Sequence, residues 1–245
     1  MLQNTRGIVL RAVKYGETSV IASIYTEKFG IQSYLVNGVR KISKKGNTAA
    51  GLFQPSANLD LVVYYSDLKQ LHRIKEYKWG QLYEHIFFDV RKNAVALFMV
   101  EVLQKCFKQP EQNEDLFYFL EDCFLKLDRA DDAVVANFPL FFLLHLAVFF
   151  GFRVEDNFSA QKNILDLQDG EFTSTYPPHS YYVDGQLAEI TSHLLKVMIP
   201  EELKQIRLNQ QLRRQLLQAY EDFYRLHLPE FGALKSLPVL QELLS

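Results

Sequence analysis

Cysteine is scarce in this sequence: among 245 residues only Cys106 and Cys123 are cysteines. Two cysteines cannot supply a disulfide framework or a Cys-based zinc site. Both fall on apolar faces of predicted helices, which favours buried thiols in a protein of a reducing compartment. The six histidines include no pair at the spacing of metal ligands on a helix. We therefore expect no bound metal and no other cofactor.

Signatures of catalysis are also missing. The sequence contains no HExxH, no phosphate-binding GxxxxGK and no GxSxG. Neither cysteine lies in an electropositive turn that would activate a thiolate. The acidic pairs Glu121-Asp122 and Asp131-Asp132 are typical of solvated helix ends. We therefore expect a protein that is not an enzyme.

Residues 133–152 carry no charge, which is near the length that spans a bilayer. Because proline is unfavourable inside a helix, we predict that the helix begins beside Pro139, with Asn137 as its cap. The roughly 13 residues from there to Gly151 span about 20 Å, short of the ~30 Å hydrocarbon core. This favours the core helix of a soluble bundle. The N-terminus lacks the apolar stretch of a signal peptide, so we expect a cytoplasmic protein without a membrane partner.

Charge is divided unevenly along the chain. Residues 1–80 contain twelve Lys and Arg against five Asp and Glu, whereas residues 81–245 contain fifteen against twenty-four. The two parts therefore carry formal charges of +7 and −9 within a chain of net charge −2. Such an asymmetry is expected when one domain meets a polyanion and the other does not.

The first part of the chain has the pattern of a small β-barrel. Short runs rich in Val, Ile and Tyr are separated by turn-forming residues, which predicts an antiparallel meander and two further strands. The five runs are Gly7–Val13, Ser19–Tyr25, Gly30–Val36, Leu59–Tyr65 and Leu71–Tyr77. A basic loop, Gly38–Gly46, follows the third. Residues 1–79 thus predict a five-stranded OB-fold, with an SH3-like barrel as the alternative.

From Trp79 onward the apolar period becomes helical, so residues 80–245 predict an all-α domain. One helix is expected from Pro200 to about Leu226, with Pro and two acids in its first turn. Residues Arg153–Asp184 hold Asp, Asn, Gly and Pro without a sustained period, which predicts an irregular insertion. The fold class is therefore an α+β multidomain protein, with the OB-fold barrel followed by the helical domain.

The basic residues of the barrel are candidates for phosphate contacts. We expect DNA to bind chiefly at Arg40, Lys41, Lys44 and Lys45. The alternative is that these residues form an ordinary solvated surface that binds no DNA. Steep salt dependence would accompany such contacts. The wider set is Arg6, Arg11, Lys14, Arg40, Lys41, Lys44, Lys45, Lys69, Arg73, Lys75 and Lys78.

Aromatic residues could stack bases beside that surface. Tyr25, Tyr34 and Tyr64 fall within strand runs and are expected mostly in the core. Tyr15 and Phe53 are the loop candidates for stacking.

Two stretches resemble a known family. The sequence IVLRAVKYGETSVIASIYTEKFG with its GVRK-type loop resembles the N-terminal domain of the RecO family of bacterial recombination mediators, and Tyr220–Leu240 resembles the C-terminal segment of that family. The resemblance implies an OB-fold joined to a helical domain, binding of single- and double-stranded DNA, and annealing of complementary strands. It also implies RecR, and often RecF, as partners in helping RecA to replace single-strand-binding protein (SSB), whose acidic C-terminal tail contacts the helical domain.

One feature departs from the family pattern. Many RecO proteins carry a four-cysteine zinc module where this chain has Arg153–Asp184, which contains no cysteine. His179 alone cannot replace four ligands, so the zinc module is not expected here. The alternative function is a generic OB-fold module that binds RNA or a protein without mediator activity.

A second candidate site lies in the helical domain. Lys204, Arg207, Gln211 and Arg214 recur at three, four and three residues, which predicts one stripe on the Pro200–Leu226 helix. Because the resemblance implies a contact with the SSB tail, Lys204, Arg207 and Arg214 are candidates for binding that tail. A solvated helix face is the simpler interpretation.

Overall fold

The computed structural model describes residues 1–41, 49–107, 109 and 111–244. The helices are α1 (Val90–Cys106), α2 (Glu114–Arg129), α3 (Asp132–Ala147), α4 (Gly185–Leu195), α5 (Gln210–His227) and α6 (Leu237–Leu243). The chain forms two compact units, one of Met1–Glu84 with Phe107–Leu125 and one of His85–Cys106 with Lys126–Ser245.

Five strands close into a barrel in the first unit. They are β1 (Leu2–Tyr15), β2 (Ser19–Thr26), β3 (Gly30–Val36), β4 (Asn58–Tyr64) and β5 (Leu71–Gln81). Their order is β1-β2-β3-β5-β4, and β1 pairs with β4 to close the barrel. Strand β5, which lies between β3 and β4 in this order, runs parallel to β3. The five predicted strands are confirmed, and this is the OB-fold rather than the SH3-like alternative.

Strand alternation explains the barrel core. On β2 and β4 every second side chain points inward and is buried, as expected for a sheet with one face on a core. The inward set includes Val9, Ala22, Ile24, Tyr34, Val36, Leu59, Leu61 and Val63. Gly7 allows a close approach of β1 to β2, because a Cβ there would lie 2.6 Å from Cγ2 of Ile24. The register therefore needs glycine at this position.

The first turns of α2 belong to the barrel unit. Glu121 accepts a hydrogen bond from Arg6 Nη1 at 2.6 Å and another from Asn58 Nδ2 at 3.0 Å. Arg6 also binds Glu27, and its guanidinium lies 5.2 Å from the centroid of the Phe117 ring. The expectation that Glu121 is a solvated helix end was wrong, since its carboxylate joins α2 to β1 and β4.

Helix α3 is the core of the second unit. It is apolar on all sides and packs against α1, α4, α5 and the 3-10 helix Pro200–Gln205, as expected for a fully buried helix. The stretch Asp132–Phe150 is long and apolar enough to cross a membrane, but 67% of its apolar window is buried within the fold. That burial is typical of a core helix.

The predicted start of this helix was wrong. Asp131, rather than Asn137, is the cap, and its carboxylate accepts a hydrogen bond from the Val134 amide at 3.1 Å. Pro139 lies inside α3. Burial of almost every neighbouring side chain offsets the ~3 kcal/mol that an interior proline costs.

The segment predicted to be irregular contains a small sheet. Strands β6 (Ile164–Asp166), β7 (Glu171–Thr173) and β8 (Tyr182–Val183) pair in the order β7-β6-β8. The buried Asp166 carboxylate accepts hydrogen bonds from the amides of Gln168 and Asp169, and His179 lies 3.3 Å from it. Strands of two or three residues are too short to show an alternation in sequence.

The single helix predicted from Pro200 is two elements. A 3-10 helix spans Pro200–Gln205, and α5 begins only after Asn209, whose side chain accepts from the Leu212 amide at 2.8 Å. Lys204, Arg207 and Arg214 therefore lie on a 3-10 helix, a connecting segment and α5 respectively. The prediction of one helical stripe was wrong.

Candidate nucleic-acid interface

The barrel register assembles two rows of outward side chains. The first row crosses all five strands as Tyr64, Arg73, Leu35, Ile21 and Val13. The second row crosses four strands as Leu71, Ser33, Ser23 and Arg11. We call these nine residues the outer strip. It lies on the β2–β3 side of the barrel, where OB-folds bind oligonucleotides.

Two of the outer-strip residues are arginines. Arg11 on β1 and Arg73 on β5 are both exposed. Among the described residues, neither has a carboxylate oxygen within 4.0 Å. The side chains between them are small or apolar, so the strip offers two unneutralised cations and a smooth surface. Such a surface can hold phosphates while bases lie against Ile21 and Leu35.

Three further predicted cations surround the β1–β2 turn. Lys14 is exposed two residues before Gly16, and Lys41 is exposed after β3. Arg40 is tied to the turn, because its amide binds the Thr18 carbonyl at 2.9 Å and Nη1 lies 3.3 Å from the Gly16 carbonyl. Lys14, Arg40 and Lys41 are thus brought to one end of the outer strip. Lys44 and Lys45 lie outside the described residues.

Other barrel cations are balanced by acids. The register places Arg6, Asp60 and Lys78 side by side, and Lys78 lies 3.4 Å from Asp60. Hydrogen bonds from Arg6 lower the pKa of Glu27, and the same contact raises the pKa of Arg6. We call this the acid-balanced face.

Lys75 also has an acidic neighbour. Its amine lies 3.3 Å from Glu76, with both side chains largely in solvent. Exposed pairs of this kind contribute ~0–1 kcal/mol and leave the lysine available to another anion. Lys69, in the turn between β4 and β5, is exposed.

The aromatic candidates divide by burial. Tyr25 and Tyr34 are fully buried, as predicted, and Tyr15 is 54% exposed. Two expectations were wrong: Tyr64 is 52% exposed on the outer strip, and Phe53 is buried, with its ring edge-on to Tyr77. Tyr64 is the last residue of β4, where the outer surface of the barrel is uncovered. Tyr15 and Tyr64 are therefore the exposed rings near Arg11 and Arg73.

The three cations predicted in the helical domain have different surroundings. Lys204 pairs with Asp131 at 2.8 Å, and Arg214 donates to the Gln241 carbonyl at 3.1 Å. Arg207 instead lines a cavity of about 450 Å³ together with His193 and Lys196. The sequence stripe missed His193 and Lys196, because they come from α4 and the residue that follows it.

Comparison with known proteins bears directly on these observations. The family profile described as recombination protein O N terminal matches residues 1–83, and that described as recombination protein O C terminal matches residues 88–238. The chain belongs to the RecO family. The DNA repair protein RecO of Bacteroides fragilis is 38% identical over 245 residues, covering 99% of both chains. Those of Phocaeicola vulgatus and Christiangramia forsetii are 34% and 32% identical, over 100% and 99% of both chains.

The segment Arg153–Asp184 does not fit the zinc module found in other members of the RecO family. Asp166 and His179 meet there, but two side chains cannot complete a tetrahedral zinc site. Within the described part of the chain, no group of three or more His, Cys, Asp or Glu side chains could hold a metal ion. The Asp166 carboxylate organises this segment through hydrogen bonds instead.

Proposed function

We propose that this RecO-family protein acts in DNA repair and homologous recombination as a mediator without catalytic activity. It binds single- and double-stranded DNA, anneals complementary strands, and with RecR, and with RecF as an optional partner, helps load RecA onto SSB-coated DNA. It works in the bacterial cytoplasm at the nucleoid. The observation that carries this proposal is the pair of exposed, unneutralised arginines, Arg11 and Arg73, on the ligand-binding side of an OB-fold.

The mechanism needs only phosphate binding that ignores sequence. Cations at Arg11, Lys14, Arg40, Lys41, Arg73 and Lys75 displace counterions from one strand and reduce its repulsion of a second strand. Lys44 and Lys45 complete the proposed set. The acid-balanced face has little net positive charge to offer, which supports placing DNA on the outer strip and at the β1–β2 turn.

Arg207 supports a place for the acidic SSB tail. It lines its cavity with Lys196 and His193, beside the apolar Ile190 and Val197. Glu202 also lines the cavity, where its carboxylate accepts from the Met198 amide, and Lys196 lies 3.5 Å from Asp156. A carboxylate-rich peptide with apolar residues matches this mixture of positive charge and apolar wall. Lys204 and Arg214 extend the proposal, although each already has a partner within the fold.

Annealing of SSB-coated oligonucleotides tests the proposed function. Complementary strands are coated with cognate SSB and mixed with and without the protein across a salt series. If the protein is a mediator, it should accelerate annealing, and this acceleration should decrease steeply as the salt concentration rises. The generic OB-fold alternative predicts binding without annealing, and that result would overturn the proposal.

The tail site has its own experiment. Arg207→Glu should weaken binding of an SSB tail peptide severalfold, since a charge near apolar walls is reversed. Glu189→Lys on α4 is a matched control, because Glu189 is exposed and does not line the cavity. If Arg207→Glu and the unaltered protein bind the tail peptide with equal affinity, the tail does not bind in this cavity.

A further inference from the structure

A cavity of about 530 Å³ opens beside the second row of the outer strip. Ser23 and Ser33, the middle two residues of that row, form one wall. The turn between β4 and β5 supplies Lys69 and Gln70, and the segment before α2 supplies Phe107 and Gln109. Its volume falls in the ~300–1,000 Å³ range of small-molecule sites. We call it the turn pocket.

The polar groups of the turn pocket are mostly neutral. Ser23 and Ser33 carry hydroxyls, and Gln70 and Gln109 carry carboxamides, so each of these side chains can both donate and accept a hydrogen bond. A further lining residue, Gln32, is already engaged with the Phe29 carbonyl and His72. This set can match the donors and acceptors on the edge of any nucleobase without selecting one base.

The apolar part of the turn pocket is held in place by the barrel. The Phe107 ring stacks on the buried Tyr25 at 4.7 Å with an interplanar angle of 28°. The Tyr25 hydroxyl donates to the Asn113 carbonyl at 2.9 Å, which fixes that ring in turn. A pocket with a fixed aromatic wall and a neutral polar floor suits a planar, uncharged ring with polar edges.

Charge at the rim suits a nucleotide as well. Lys69 provides an amine within reach of a phosphate, and Arg11 is the neighbour of Ser23 in the outer row. Asp67, which also lines the cavity, hydrogen-bonds with the Tyr65 hydroxyl; burial and this contact raise the pKa of Tyr65. The phosphates therefore lie toward Lys69 and Arg11.

We infer that the turn pocket receives one unpaired base of a DNA strand bound along the outer strip. This rests on the proposed DNA binding and adds a means of distinguishing single strands from duplex. A base in a duplex must break its pairing and stacking to enter, which costs a few kcal/mol, whereas a base in a single strand loses much less. Phosphate contacts alone would not make this distinction.

Fluorescence anisotropy with three ligands tests the inference. The ligands are a single strand of about ten nucleotides, within the site size of an OB-fold, an abasic strand with the same number of phosphates, and a duplex of the same length. The protein should bind the base-bearing strand roughly tenfold more tightly than the abasic strand, a difference within reach of one stacked base. Ser33→Phe, which fills the pocket, should abolish that difference.

Controls separate the pocket from the surface around it. Ser174→Phe makes the same substitution at an exposed serine that lies outside both the pocket and the barrel, and it should keep the tenfold difference. If Ser33→Phe does not fold by circular dichroism, the double variant Gln70→Ala/Gln109→Ala takes its place with the same expected loss.

Two results would overturn the inference while leaving the proposed function intact: equal affinity of the native protein for base-bearing and abasic strands, or an unchanged difference in the pocket variants. Failure of the native protein to bind any of the three ligands in a salt-dependent way would instead contradict the proposed function itself.

Discussion

Glu121→Ala should loosen the barrel, because Glu121 joins α2 to two strands. The substitution removes the 2.6 Å bond to Arg6 and the 3.0 Å bond to Asn58. A hydrogen bond to a charged group contributes about 1.5–3 kcal/mol, and an amide left buried without an acceptor costs about 1–3 kcal/mol. Asn58 is fully buried, whereas the Arg6 and Glu121 side chains are 32% and 24% exposed.

Because both side chains are partly exposed, solvent screens the Arg6–Glu121 ion pair and reduces its contribution to the free energy of unfolding. Arg6 also keeps Glu27 as a partner. We therefore expect a loss of about 2–3 kcal/mol from the barrel unit. Hydrogen exchange of the β1 and β4 amides is the appropriate assay, since a chain with two units need not unfold in one step. Exchange should accelerate about thirtyfold or more, at tenfold for each 1.4 kcal/mol.

Asp122→Ala is the matched control, because Asp122 is the exposed neighbour of Glu121 on α2. Arg6→Ala completes a double-mutant cycle, in which coupling to Glu121 should be about 1 kcal/mol or more. The reasoning is refuted if Glu121→Ala changes exchange by less than about threefold, a difference of under 1 kcal/mol, or if Asp122→Ala has the same effect.

Three other carboxylates give further predictions. The bond from Arg6 holds the pKa of Glu27 below its ordinary 4.5, so Glu27 stabilises the barrel above pH 4.5 and this contribution disappears as pH falls through the lower folded value. Glu27→Gln should therefore weaken the pH dependence of the free energy of unfolding in that window, and an unchanged pH dependence would contradict this. Asp166→Ala should destabilise the β6–β8 sheet by about 2 kcal/mol and speed proteolysis within 153–184, whereas exposed Asp169→Ala should not. Burial acts to raise the pKa of Glu101, but hydrogen bonds from Ser236 and Lys235 outweigh it and lower that pKa. Glu101→Gln should therefore accelerate amide exchange in α6 by about tenfold, and no change there would show that this contact does not hold the helix.

Strand alternation was enough to predict the barrel. On β2, for example, Val20, Ala22 and Ile24 recur at period two, and the sheet register follows from that pattern. The outer strip could not be predicted, because Arg11 and Arg73 come to the same face of the barrel only through the parallel pairing of β3 with β5. Long-range pairing leaves no local signal.

Errors in the helical region arose where tertiary contacts overrode local preference. Pro139 signalled a helix start, but a buried bundle tolerates it inside α3. The local sequence around Glu121 predicted a solvated residue, because its partners Arg6 and Asn58 are brought to it only by the folded barrel. The helix expected from Pro200 ends at Gln205, because the backbone becomes extended at Ile206, and Asn209 then caps a new helix.

The salt dependence of single-strand binding tests the central claim most directly. Each phosphate contact on a single strand contributes about 0.7 to the slope of log K against log salt, so Arg11→Ala/Arg73→Ala should make the slope shallower by about 1.4. Lys28→Ala, an exposed cation beside the acid-balanced face, should leave the slope unchanged. An unchanged slope in the double arginine variant, with the fold intact by circular dichroism, would contradict binding of DNA on the outer strip.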